Sequence, residues 1–271
     1  MIHRLYTPAA PLGWFVKCFW YWEGAPQTHA KEQLMPNGEA AIIFNLRDDP
    51  MRIYDARDLT RCESFGHAVL SGPRTRPFVI DTSQQDRVFG IEFQPGGSFP
   101  FFRVPTSEFC DTEVSLEYLW RSSVNEIREQ LLAAPDIDRM MAITQTILRR
   151  LIVRPLELHP GVTFALHRFC SRPQTPVASV LDRIGLSHRR FAQLFQTQVG
   201  ITPKSFNRVL RFQSVLRRVH RASNIDWCGV ALDCGYYDQA HFIHDFQEFS
   251  GFTPTVYAAR ATEHLNHVPL V

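Results

Sequence analysis

The stretch GYYDQAHFIHDFQEFSGFTPTVY, residues 235–257, repeats a pattern already present in GLSHRRFAQLFQTQVGITPKSF, residues 185–206. The matching residues lie 51 positions apart: Ser187 and Asp238, Phe191 and Phe242, Phe195 and Phe246, Gln196 and Gln247, Gly200 and Gly251, Thr202 and Thr253, Pro203 and Pro254. Ser and Asp favour the N-cap of a helix, and glycine favours the left-handed residue that ends one. The pattern therefore predicts the same helix twice, each with a defined start and end.

Each copy follows a shorter segment of helical periodicity and a glycine turn, which together predict a helix-turn-helix unit. In the first unit Phe191, Leu194 and Phe195 have the spacing of a buried stripe. The second unit repeats the two phenylalanines but carries Asp245 where the first has Leu194. Pro203 is expected to open a longer helix, residues 204–220, between the units.

The outward residues near the start of each repeated helix are polar. They are His188, Arg189, Arg190, Gln193 and Gln196 in the first unit, and Gln239, His241 and His244 in the second. Arginine pairs well with guanine and glutamine with adenine in the major groove. Two equal scaffolds with different outward residues indicate two readers of different base steps. A helical repeat that binds protein would show a similar pattern, and this alternative stays open.

The segment from residue 162 to residue 257 resembles the DNA-binding domain of the AraC/XylS family of bacterial transcription regulators. The residues that carry the resemblance are Gly185, Ser187, Phe191, Phe195, Gly200, Thr202, Pro203, Arg211, Ala231, Gly235, Tyr236, Asp238, His241, Phe242, Phe246, Gly251, Phe252, Thr253, Pro254 and Tyr257. The resemblance implies two recognition helices that enter successive major-groove segments on one face of the DNA, about one helical turn apart.

Three positions depart from the family pattern. Leu181 replaces a small residue before the first turn, Ala240 replaces a serine, and His244 replaces an arginine. The last change removes a fixed positive charge from the second unit. The predicted DNA-contacting residues are Ser187, His188, Arg189, Arg190, Ala192, Gln193, Gln196, Lys204, Asn207, Arg208, Gln239, Ala240, His241, Ile243 and His244.

The first hundred residues predict short antiparallel strands separated by turns. The predicted strands are FVKCFWYWEG, EAAIIFNLR, MRIYDA, FVIDT and DRVFGIEFQP. Helical periodicity follows in VSLEYLWRS, VNEIREQLLAA and DRMMAITQTILRRLIV. The strings MPNGEAAIIFNL, FGIEFQPGGSFPFF and VSLEYLW resemble the β-rich sensor domain that precedes the DNA-binding domain in one subgroup of the family. This second resemblance implies a cupin-like barrel, so the predicted fold class is α+β.

The predicted organisation is a sensor or dimerisation domain over residues 1–154, a linker over 155–161, the DNA-binding domain over 162–260 and a tail over 261–271. Residues 1–154 contain 17 basic and 19 acidic residues, and residues 155–271 contain 12 and 8. The modest basic excess is therefore in the segment that resembles a DNA-binding domain.

The first long predicted strand is rich in aromatic residues. Alternation along a strand places Trp20 and Trp22 on one face, and Phe19 and Tyr21 on the other. A plain aromatic core is one interpretation, and a ligand pocket that includes Trp20 and Trp22 is the other.

Nothing in the sequence predicts an enzyme. The N-terminal half has no His-x-His pair, and the chain has no nucleophile elbow, P-loop or dinucleotide fingerprint. We therefore predict no catalytic residue, metal or cofactor. The six scattered cysteines suit reduced thiols, and no apolar run is long enough for a membrane span, which favours a cytoplasmic protein.

The sequence thus predicts a sequence-specific, DNA-binding transcription regulator, in the manner of an activator. The expected partners are double-stranded promoter DNA, RNA polymerase, a small-molecule effector and a second copy of the chain. The alternative is a ligand-binding or protein-interaction module whose helical repeat does not bind DNA.

Overall fold

The computed structural model describes residues 2–24, 29–84, 86–220, 222 and 224–270. Two antiparallel sheets form the N-terminal part. The strands are β1 Ile2–Tyr6, β2 Val16–Glu23, β3 Lys31–Leu34, β4 Ala41–Asn45, β5 Met51–Asp55, β6 Cys62–Phe65, β7 Ala68–Ser71, β8 Phe78–Asp81, β9 Arg87–Phe93, β10 Glu113–Ser115 and β11 His267–Leu270. One sheet has the order β1-β2-β9-β4-β7-β10, and the other has the order β11-β3-β8-β5-β6. The predicted antiparallel β-rich fold is confirmed.

The helices are α1 Leu116–Trp120, α2 Ser123–Leu132, α3 Ile137–Arg150, α4 Pro160–Ser171, α5 Val177–Ile184, α6 His188–Val199, α7 Pro203–Val219, α8 Trp227–Asp233, α9 Gln239–Ser250 and α10 Pro254–Arg260. The first three pack on the large sheet, and the rest form the helical part. The helix α4 begins inside the segment that the sequence assigns to a linker, because Pro160 takes the first helical position.

The two faces of β2 have different environments. Phe19 and Tyr21 are buried in one apolar cluster with Leu131 and Leu148 of the helices that cover the large sheet. Trp20 points the other way, into the space between the two sheets, since it lines the cavity described below. One face of β2 therefore belongs to an apolar core, and Trp20 on the other face lines a cavity.

The helical part has two apolar clusters, one for each helix-turn-helix unit. Phe191 and Phe195 lie in the first cluster with Phe206, and all three are fully buried. Phe242 and Phe246 lie in the second. The long helix α7 contributes to both clusters, since Phe206 and Phe212 sit at different points along it. The helix therefore connects the two units as one rigid element.

The segment 261–271, expected to be a tail, requires correction. Within it His267–Leu270 forms β11 and pairs antiparallel with β3, with His267 opposite Leu34 and Leu270 opposite Lys31. The sequence conceals this strand because four residues give too short a pattern, and its partner lies more than 200 residues earlier. The last strand of the described chain thus belongs to the five-stranded sheet of the N-terminal part.

The helical part packs directly on the β part at both units. Thr106 Oγ1 donates a 3.1 Å hydrogen bond to the carbonyl oxygen of Gln198, near the end of α6. Gln33 Nε2 donates a 2.5 Å bond to the carbonyl oxygen of Ser250, at the end of α9. Gly200 has a φ of +99°, and a Cβ there would meet Pro73 at 2.7 Å. These contacts fix α6 and α9 relative to the β part.

Candidate DNA interface and effector cavity

The first recognition helix, α6, begins at a side-chain cap. Ser187 Oγ accepts a 3.3 Å hydrogen bond from the backbone N–H of Arg190, and the helix ends at Gly200 in the left-handed conformation. His188, Arg189 and Arg190 are exposed in its first turn. The sequence prediction of this cap and this stop is confirmed.

Two arginines at the start of α6 have different surroundings. Arg190 Nη1 donates a 3.3 Å hydrogen bond to Oε1 of the exposed Gln193, one turn further along. Within the described chain, the side chain of Arg189 makes no hydrogen bond or ion pair. Arg189 therefore presents all of its donors to solvent, while Arg190 orients the amide of Gln193.

The second recognition helix, α9, repeats the geometry of the first. Asp238 Oδ1 accepts a 2.7 Å hydrogen bond from the backbone N–H of His241, and Gly251 ends the helix with a φ of +72°. Gln239, Ala240, His241 and His244 are exposed. The His241 ring contacts the Tyr236 ring edge-on at 5.4 Å between centroids, which restricts its orientation. The two units thus present the same kind of surface with different side chains.

The charges at the start of α6 favour an anionic partner, whereas α9 begins at the acidic cap Asp238. Neither α6 nor α9 has an acidic residue in its first turn. The positive end of a helix dipole is stabilised by an acidic side chain by about 0.3–1 kcal/mol, and basic residues there oppose the dipole. Placing Arg189 and Arg190 at such an end has a cost that phosphate or guanine oxygens would offset.

One of the predicted DNA-contacting residues, Asn207, is buried and does not lie at the surface. Asn207 is only 5% exposed, and its Nδ2 donates a 2.8 Å hydrogen bond to the carbonyl oxygen of Thr175. This side chain holds α7 against the start of α5 and does not face solvent, so its assignment to the DNA contacts is corrected. Ala192, Gln196 and Ile243 are half-buried, whereas Lys204 is exposed in the first turn of α7.

Arg208, another predicted contact, is engaged within the protein. Its Nη2 lies 2.7 Å from Asp245 Oδ1 and 2.5 Å from Glu248 Oε2, both on α9. The hydrogen bond that Arg208 donates to Asp245 raises the pKa of Arg208. The polar residue that interrupts the apolar stripe of α9 is therefore the partner of an arginine on α7. His244, Asp245 and Glu248 lie close enough for a metal, but both carboxylates accept bonds from Arg208.

Sequence reasoning missed Tyr237, which directly precedes the cap of α9. This ring is 87% exposed, whereas the adjacent Tyr236 is 3% exposed and packs on Phe242. The residue at the same place in the first unit, Leu186, packs into the apolar cluster. The sequence does not indicate which of two neighbouring tyrosines is exposed, because this depends on how the turn packs in the folded protein.

A cavity of about 200 Å³ lies between the two sheets. Its wall includes Trp20 from the large sheet and Ile80 from the small one. Trp22, predicted beside Trp20 as a ligand contact, is not part of the wall and instead packs edge-on against His264 at 6.2 Å. Alternation along a strand predicts which residues share a face, but not how far along that face a cavity extends.

Arg74 is the most buried cation of this cavity, at 6% exposure. Its guanidinium lies 4.1 Å from the centre of the Phe78 ring and donates to Glu113. Its Nε has no hydrogen-bond partner within the described chain. Burial lowers the pKa of Arg74 to about 10. An unpaired buried N–H is costly, so this group is suited to an acceptor oxygen inside the cavity.

Comparison with known proteins finds two family models on the chain. A helix-turn-helix domain matches residues 180–260, and a domain of unknown function, DUF6597, matches residues 4–115. No curated protein matches the chain. Of the helices that the structure describes, none has both the length and the apolar character needed to span a bilayer.

Several solved structures are similar to the chain. ToxT from Vibrio cholerae is 8% identical with a TM-score of 0.47, and the match covers 86% of this chain and 95% of ToxT. An AraC-type transcriptional regulator from Chromobacterium violaceum is 21% identical with a TM-score of 0.35, over 38% of this chain and 94% of that one. A DNA-binding transcriptional dual regulator from Escherichia coli K-12 is 19% identical with a TM-score of 0.33, over 37% and 97%.

The family match covers both capped recognition helices and the long helix between them. Together with the duplicated glycine-terminated units, it accounts for the architecture of the helical part. Residues 180–260 therefore form a helix-turn-helix domain of the AraC type, and the chain that carries it is a DNA-binding transcription regulator with a two-sheet β domain before it.

Proposed function

We propose that this regulator reads two successive major-groove segments of promoter DNA, one with the start of α6 and the other with the start of α9. The supporting observation is the matched presentation of the two helices. Both begin at a side-chain cap, bury phenylalanines at two matching positions and keep their first turn exposed. Because α7 is continuous over 17 residues and packs in both apolar clusters, it holds the units at a fixed separation, which would set the spacing of the two groove segments.

Within this proposal the side chains have distinct roles. Arg189, with unoccupied donors, pairs with a guanine edge, and Gln193, oriented by Arg190, pairs with an adenine. Lys204 neutralises a phosphate near the first unit. In the second unit Gln239, His241 and His244 line the groove, with less fixed charge than in the first.

We further propose that the cavity between the sheets holds a small-molecule effector. Its volume of about 200 Å³ suits a compact molecule with an apolar body against Trp20. The unpaired Nε of Arg74 would donate to an acceptor oxygen of that molecule. A second copy of the chain and RNA polymerase remain predicted partners, to be tested by the mass of the protein in solution and by transcription from a purified template.

The experiment that tests the DNA-binding proposal is selection of bound sequences from a random double-stranded pool by the full chain. The expected result is a two-part site with its halves about one helical turn apart. Binding should weaken steeply with salt, since phosphate neutralisation releases counterions. Enrichment of no sequence, together with capture of a protein by the helical part, would support the interaction module instead.

A further inference from the structure

The segment that follows α10 belongs to the β part and to the second helix-turn-helix unit at once. In β11, Val268 is fully buried. It shares an apolar cluster with Met35, which directly follows β3, and with Phe246 and Tyr257 of the second unit. We call residues 262–270 the strap.

The strap is also hydrogen-bonded to α7 and α10, the helices that pack beside α9. Gln213 of α7 is buried, and its Nε2 donates to Asn266 Oδ1 at 2.9 Å and to the carbonyl oxygen of Pro36 at 2.8 Å. Tyr257 of α10 donates through its hydroxyl to the carbonyl oxygen of Leu265 at 2.8 Å. The side chain of Gln213 therefore joins the strap, the β part and the long helix at a single point.

The same strap closes one side of the cavity. Asn266 and His267 are among the residues of the cavity wall, and so is Met35. His267 Nδ1 lies 2.8 Å from Glu32 Oε2, which fixes its ring on β3. A molecule in the cavity would therefore touch the residue that accepts the bond from Gln213.

We infer that the strap is the regulatory link of this protein. Docked on β3, it holds the second unit in the orientation that reads DNA, and an occupant of the cavity acts on DNA binding through Asn266 and His267. This inference rests on the proposed function, because it requires both that α9 reads DNA and that the cavity binds an effector. A docked strap pre-organises α9, so less conformational freedom is lost when the complex forms.

Two variants of the full chain test the link. Val268→Asp places a charge in the apolar cluster and expels β11, whereas Asn266→Ala removes only the bond to Gln213. Val256→Asp is the matched control, because Val256 is 40% exposed on the neighbouring α10. Helical content and melting temperature establish that each variant is folded, and Asn266→Ala serves alone if Val268→Asp does not fold.

The expected result is a loss of operator affinity of roughly tenfold for Val268→Asp and roughly threefold for Asn266→Ala. The loss should fall on the half-site that α9 reads, while preference in the other half-site and the affinity of Val256→Asp stay unchanged. A folded strap variant that binds the operator as tightly as the wild type overturns the inference. A wild type that selects no DNA site overturns the proposed function instead.

Reciprocity gives a second measurement that needs no effector. If a docked strap favours DNA binding, bound operator must stabilise the docked strap by the same factor. Amide hydrogen exchange in His267–Leu270 and Lys31–Leu34 should slow several-fold when operator is added to the wild type. The strand Cys62–Phe65, at the opposite edge of the same sheet, provides the control and should not change. Equal protection with and without operator would contradict the coupling.

Discussion

Arg208 on α7 reaches across to α9 and binds Asp245, whose carboxylate is only 4% exposed, at 2.7 Å. In the first unit the corresponding position is Leu194, which packs among apolar neighbours. The repeated helix therefore solves the same packing problem in two ways, with an apolar contact in one unit and a buried ion pair in the other. The ion pair fixes the angle between α9 and the helix that connects the units.

Removing Arg208 should be costly because the buried carboxylate of Asp245 would lose its close partner and keep only the more distant rings of His241 and His244, at 3.7 and 4.0 Å. We expect Arg208→Ala to lower the free energy of unfolding by about 3–5 kcal/mol, measured by urea denaturation. The control is Arg218→Ala, whose partner Asp233 is about half exposed, and whose loss should cost less than about 1 kcal/mol. The double variant Arg208→Leu/Asp245→Leu should recover most of the loss. Equal small effects in both single variants would refute the structural role of the pair.

Arg189 is the predicted guanine-reading side chain of the first unit. We expect Arg189→Ala to cost about 1–3 kcal/mol at the selected site and to relax preference at one or two base pairs. Affinity and preference are measured by titration against the selected site and its single-base variants. Arg149→Ala, an exposed arginine on α3, serves as the control. An Arg189 variant with unchanged base preference would remove this residue from the reading face.

Two residues of α7 separate a packing role from a DNA-contacting role. Asn207→Ala should lower stability by about 1 kcal/mol, because the carbonyl of Thr175 loses its partner, and should leave base preference intact. Lys204→Ala should leave stability unchanged and weaken binding to all sequences equally, with a shallower salt dependence. If instead Asn207→Ala weakened DNA binding without loss of stability and Lys204→Ala lowered stability, Asn207 would face the DNA and Lys204 would have the packing role.

His244 tests how much the second unit contributes. It is exposed on α9 and stands where the family pattern has an arginine. His244→Arg should tighten binding at about pH 7.5 and steepen the salt dependence by about one phosphate contact. Thr146→Arg adds the same charge on an exposed site of α3 and should do neither. Equal affinity and salt slope for His244→Arg and the wild type would place this residue off the DNA.

Glu32 gives the strap a defined dependence on pH. Burial raises the pKa of Glu32, but the hydrogen bond and charge of His267, followed by those of His29, outweigh burial and hold the pKa below its usual range. A depressed folded pKa gives stability that is present above the unfolded pKa of about 4.3 and lost as pH falls through the lower folded value.

Glu32→Gln should therefore destabilise the protein at about pH 6, by about 1.5–3 kcal/mol for the lost charged hydrogen bonds. The difference from wild type should shrink below about pH 4. Chemical denaturation across this range measures it, with the exposed Glu157→Gln as the control. A difference that stays constant down to the acid limit would mean that the charge of Glu32 does not support the strap.

The helical part could be predicted closely because its signals are local. Ser187 and Asp238 cap their helices as expected, and Gly200 and Gly251 end them, since caps and stops depend on a few adjacent residues. The burial of Asn207 could not be predicted in this way, because its partner, the Thr175 carbonyl, comes from the loop between α4 and α5.

In the β part, strands with a strong apolar pattern were predicted, including Ala41–Asn45 and Arg87–Phe93. The strand β3 was missed, because KEQL is polar and pairs with strands distant in the sequence. The residues of the cavity wall could not be predicted for the same reason, since Trp20 and Asn266 are far apart in the sequence and come together only in the folded protein.

The pairing of β3 with β11 also determines the order in which the protein can fold. Glu32 and His267 are in contact but lie 235 residues apart, so the ribosome makes both helix-turn-helix units before the last strand of the small sheet exists. Until then the edge of β3 is unpaired, and Met35 lacks its neighbour Val268. An open strand edge in a growing chain is a site for aggregation. The short and charged sequence of β3, KEQL, is the kind of edge that resists it.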